Sequence, residues 1–87
     1  MKIAVLDTGI DQTHPDIDAR EEQIKGRHNW TNEKFKNMVD DHNGHGTFTA
    51  GLLLDYAPDS ELYIAKIAEN KPPNPRIIAK VIFKNCI

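Results

Sequence analysis

Eighty-seven residues with 11 Lys and Arg against 13 Asp and Glu, a formal net charge of −2, suit one small domain or part of a larger one. The mixed, near-neutral charge points to no nucleic-acid partner, and no apolar run approaches the roughly 20 residues that span a bilayer. With 39% hydrophobic residues and a single cysteine, Cys86, the expected core is thin, an internal disulfide is excluded and the compartment stays open.

Residues 3–6 form an apolar run stopped by Asp7, Thr8 and Gly9, the pattern of a short parallel strand covered on both faces. Lys2 is followed by no longer apolar region, so no signal peptide is expected. Residues 11–37 are polar and irregular. Within them "HPDI" reads as a turn and "GRHNW" as a second, shorter strand. Residues 40–46 read as a loop, and residues 47–54 as a short helix entered through Asn43 and Gly44. Pro58 bounds that helix, because the residue before a proline avoids the helical region. "PDS" is a turn and "ELYIAKIA" the strongest strand, with Leu62, Ile64 and Ile67 apolar. "KPPNP" is a rigid linker, and Asn74 caps a last helix with Pro75 at its first position. Ile77, Ile78, Val81 and Ile82 share one face of that helix.

Strand, strand, helix, strand, helix predicts an α/β fold: a partial parallel sheet of about three strands with two helices. In such sheets functional groups gather at the carboxyl ends of the strands. Asp7 falls at such an end, and His45 falls where the next helix begins. Helices start on the edge where strands end, so topology alone predicts that Asp7 and His45 meet. A carboxylate beside an imidazole fixes its tautomer and stabilises the imidazolium, while the positive end of a helix favours the neutral ring. Taken singly, an aspartate before a Thr-Gly turn is an ordinary turn former and a histidine at a helix start an ordinary cap or surface group.

Together the two motifs say more. "AVLDTGIDQTHPDI", then "DDHNGHGTFTAG", then "APDSELYIAKIA" resembles the subtilisin-like serine proteases, the subtilases. The resemblance runs from Lys2 to about Val81. It implies that Asp7 is the catalytic aspartate and His45 the catalytic histidine, in the order Asp, His, Ser. It also implies a polypeptide substrate and serine endopeptidase activity. Gly9 is expected to allow the sharp turn after Asp7, Gly44 and Gly46 to let other backbone or substrate approach His45, and Gly51 to allow close packing of helix on sheet. Where many relatives carry a second histidine three positions after the catalytic one, this chain has Phe48.

A triad needs a nucleophile. The only serine, Ser60, precedes its strand and is expected on the opposite edge from Asp7. The family's serine belongs to a Gly-Thr-Ser motif, and no such motif occurs in these residues. Residues 1–87 are therefore expected to be a truncated subtilase catalytic domain, inactive alone and partnered by the missing C-terminal part. The rival within the fold is a non-catalytic, interaction-only remnant. Cys86 has no activating neighbour in sequence that would make it a substitute nucleophile.

No cofactor and no metal are expected. Asp16 matches a calcium-ligating position of some relatives, but the compact "LLLDYAPDS" connection leaves too few ligands. His42 and His45 beside Asp40 and Asp41 read as solvated loop charge rather than a zinc site. "LDTGID" is also similar to the phosphorylated-aspartate motif of haloacid-dehalogenase-like phosphotransferases. There Gly9 stands where a basic or second acidic residue is needed, and the histidine motif has no role.

Overall fold

The computed structural model describes residues 1–70 and 75–76. The elements run β1 (Lys2–Asp7), α1 (Pro15–Asp18), β2 (Ile24–Asn29), α2 (His45–Tyr56) and β3 (Glu61–Lys66), with single-turn 3-10 helices at Glu21–Gln23 and Glu33–Phe35. The three strands form one parallel sheet in the order β1-β3-β2. The expected α/β class and three-stranded parallel sheet are thus observed. Pro75 and Arg76 are helical and exposed, and the rest of the expected last helix lies outside the described residues, as does Cys86. Among the described residues no helix is long and apolar enough to cross a membrane.

Alternation places Leu62, Ile64 and Lys66 of β3 on one buried face. Leu62 and Ile64 join Val5, Ile10, Ile17, Ile24, Val39, Ala50 and Leu54 in a single core, with Ile3 and Leu53 packed against it. β1 departs from expectation. It is an edge strand, and only Val5 is buried while Ala4 and Leu6 face outward. A short apolar run does not tell a central strand from an edge strand with one covered face. "HPDI" also differs: it is a four-residue helix rather than a bare turn. His14 caps it by accepting the Asp16 N–H, Pro15 stands at its start, and Ile17 enters the core.

α2 starts two residues earlier than expected and ends at Tyr56, two residues before Pro58. Ala50 and Leu54 bury against the sheet, while Phe48, Leu52 and Tyr56, four apart, form an exposed stripe. Gly51 does not serve close packing, since a Cβ there would meet nothing within 4 Å. Gly51→Ala is therefore expected to stabilise the chain by roughly 0.5–1 kcal/mol through helix propensity, read as a raised urea midpoint at unchanged m-value.

Parallel pairing puts the carboxyl ends of the strands on one rim. Asp7 and Asn29 each stand beside Lys66 in register, and Lys2 stands beside Glu61 at the other rim. Ser60, just before β3, is buried at that far rim, where its hydroxyl donates to the Ala57 carbonyl at 2.7 Å. A six-residue strand separates it from Asp7, about 20 Å at 3.3 Å per residue.

Candidate active site

β1 delivers Asp7 to the rim and the N-terminus of α2 delivers His45. His45 Nδ1 lies 2.8 Å from Asp7 Oδ1 and 2.9 Å from Oδ2. The Asp7 side chain is 14% exposed and that of His45 70% exposed. The carboxylate is thus sheltered while the far edge of the ring is open to solvent. Asp7 Oδ1 also accepts the Thr8 N–H at 2.8 Å, which fixes the carboxylate plane. With Nδ1 turned to a carboxylate, the proton sits on Nδ1 and Nε2 is left as the acceptor.

The backbone behind the pair is tightly joined. Gly9 has φ +113°, and a Cβ there would run into the carbonyl oxygens of Val39 and Asp40. A Cβ on Gly46 would run into the Gly9 backbone, so Gly46 serves the approach of the chain after β1 rather than of substrate. These two glycines let the loop that follows Asp7 lie directly against the start of α2. The Thr8 hydroxyl accepts the Gly46 N–H at 3.0 Å and donates to Asp41 at 2.7 Å. Thr49 bonds back to the His45 carbonyl at 3.0 Å, as expected of a helical threonine. Thr47 instead reaches out of its helix, donating to Asp41 at 2.6 Å and accepting the Asp11 N–H at 2.8 Å.

Two further residues shape the rim: Asp41, expected only as solvated loop charge, and Lys66, which the sequence did not single out. Asp41 accepts five hydrogen bonds, from the hydroxyls of Thr8 and Thr47 and from the N–H groups of Asn43, Gly44 and Thr47. Burial alone would raise its carboxyl, but these bonds outweigh burial and hold it well below the usual carboxylate range. Part of the signal was local, since an aspartate that accepts N–H groups two and three residues on makes a recognisable turn. Lys66 is 1% exposed. Its ammonium donates to the Asp40 carbonyl at 2.5 Å and pairs with Glu69 at 2.5 Å. Glu69 in turn takes the His42 ring at 3.0 Å. The bond from Lys66, opposed by burial and aided by His42, lowers the Glu69 carboxyl. His42 and His45 therefore point to different partners, although they are neighbours in sequence. Asp16 lies exposed in the first turn of α1.

A model of the subtilase family matches residues 1–82. The membrane-bound transcription factor site-1 protease of Homo sapiens is 40% identical over 76 residues, covering 80% of this chain and 7% of that protein. The major intracellular serine protease of Bacillus subtilis (strain 168) is 40% identical over 84 residues, 94% of this chain and 24% of that protein. Subtilisin-like protease SBT6.1 of Arabidopsis thaliana is 39% identical over 74 residues, 77% of this chain and 6% of that protein. The chain thus spans less than a quarter of the length of these curated relatives, and no solved structure matches it. Matched over 82 of its 87 residues, this chain belongs to the subtilase family.

Proposed function

We propose that residues 1–87 are the acid- and base-bearing part of a subtilase catalytic domain, and that the whole protein is a serine endopeptidase acting on polypeptides. Asp7 orients His45, and the nucleophilic serine comes from polypeptide outside these residues. The observation that carries this reading is the Asp7–His45 contact at 2.8 Å, with the ring edge opposite Asp7 open to solvent. Ser60 is a turn residue on the other rim and takes no part. The exposed stripe of Phe48, Leu52 and Tyr56 fits the same reading, as apolar surface that the remainder of a catalytic domain would bury.

In that domain His45 Nε2 takes the serine proton as the hydroxyl oxygen attacks the peptide carbonyl. The same nitrogen then gives the proton to the leaving amine, and an acyl-enzyme remains for water to hydrolyse. Asp7 stays ionised, holding the Nδ1–H and stabilising the imidazolium. The 87-residue chain alone is inactive.

A fluorophosphonate probe, which reacts with an activated serine, tests this. The full-length protein is expected to label, and both its His45→Ala variant and the 87-residue chain are not. Labelling that survives His45→Ala would remove His45 from the base role. A full-length protein that neither labels nor cleaves peptide would favour the second reading, a non-catalytic relative of the same fold.

A further inference from the structure

We infer that Asp41 is the positioning residue of the Asp7–His45 couple: its one carboxylate ties together the two chain segments that carry the acid and the base. This rests on the reading of those two residues as an acid–base couple. Neither Asp7 nor His45 is among the hydrogen-bond partners of Asp41; each is held through the residue that follows it. Thr8, next to Asp7, donates its hydroxyl to Asp41 Oδ1 at 2.7 Å. Gly46, next to His45, donates its N–H to that same hydroxyl at 3.0 Å. One residue further into α2, Thr47 gives Asp41 Oδ2 both its N–H, at 2.8 Å, and its hydroxyl, at 2.6 Å. Asn43 and Gly44, which lead into the helix, donate to Oδ1 at 3.0 and 2.8 Å. Oδ1 therefore holds the loop after β1 and the turn before α2, and Oδ2 holds α2 itself.

The chemistry requires a carboxylate. All five partners are donors, so every contact on both oxygens is an acceptor role. An amide offers one acceptor oxygen and one NH₂ group, and the NH₂ would face donors whichever way it turned. Bonds to an ionised acceptor are also the shorter and stronger kind. With Asp41 replaced, Thr8 and Thr47 lose their common anchor. The rim can then spread by fractions of an ångström without loss of the sheet, and His45 no longer meets Asp7 squarely.

The tautomer of the His45 ring reports this directly. Bonded to Asp7, the neutral ring carries its proton on Nδ1, whereas an unconstrained imidazole prefers Nε2. Long-range ¹H–¹⁵N spectra of the full-length protein at alkaline pH distinguish the two forms, and sheet amide shifts show whether the fold is kept. Asp41→Asn is expected to shift His45 towards the Nε2–H form with the sheet amides in place. Thr8→Val, which keeps the volume and removes the Asp41 and Gly46 bonds, is expected to produce a smaller shift in the same direction. Wild-type Nδ1–H population in a folded Asp41→Asn would overturn the proposal. If Asp41→Asn loses the sheet, Thr8→Val decides in the same way. Asp7→Asn is the reference for complete loss of the contact. If it leaves the tautomer unchanged, the couple itself is misread, a failure distinct from that of Asp41.

Discussion

Asp7→Asn in the full-length protein is expected to lower kcat by about 10⁴-fold while the fold persists, the scale known for this exchange in a serine-protease triad. Asp7 accepts from Thr8 N–H on Oδ1 and meets the His45 ring with both oxygens. An asparagine keeps the size but offers an NH₂ group to one of these positions. If that group faces the ring, Nδ1 must accept and the proton moves to Nε2. The nitrogen that should take the serine proton is then already protonated. Binding of the peptide depends on other surfaces, so KM should move far less than kcat. Steady-state kinetics alongside a thermal midpoint check both halves. A folded variant with kcat within tenfold of wild type would mean that Asp7 does not orient a catalytic base.

Lys66→Ala should produce the largest loss of stability at the rim, about 2–4 kcal/mol, as expected for emptying a buried site that also supplies hydrogen bonds. The stem of Lys66 continues the buried face of Leu62 and Ile64, and its ammonium donates to the Asp40 carbonyl. Alanine leaves a void along that stem and an unpaired carbonyl in the segment next to Asp41. Lys66→Met retains most of the volume and should cost about 1 kcal/mol, because only the polar contacts go. Glu69, nearly half exposed, can return to water in either variant, so the penalty of a stranded buried charge is avoided. Urea midpoints at constant m-value separate the two substitutions. Equal, small losses would show that neither the stem nor its bonds matter.

Much of this architecture was legible because its signals are local. The apolar run before Asp7, the apolar Leu62, Ile64 and Ile67 of "ELYIAKIA" and the glycine-flanked entry to α2 each mark an element without reference to the rest of the chain. The meeting of Asp7 and His45 followed from one topological rule, that helices begin where parallel strands end. What was not legible depends on distant partners. Edge or central placement of β1 is decided by β3, which follows only at Glu61–Lys66. α1 carried its cap and its proline openly, but a single turn is stable only because Ile17 reaches the core. Asp41 could be read as a turn former from Asn43 and Gly44, yet its bond to Thr8 spans 33 positions. A lysine in a strand is ordinarily a solvent-facing residue, and only the buried register of β3 makes Lys66 an interior one.

The strand order has a consequence for how the site comes into being during synthesis. The first two strands made are the outer ones, and each is bonded to the third rather than to the other. A nascent chain that has emerged only as far as α2 already contains the carboxylate and the imidazole, but no central strand to align their supports. The sheet that seats both supports can therefore close only once residues 61–66 have left the ribosome, so its assembly lags behind translation of the acid and the base that it carries.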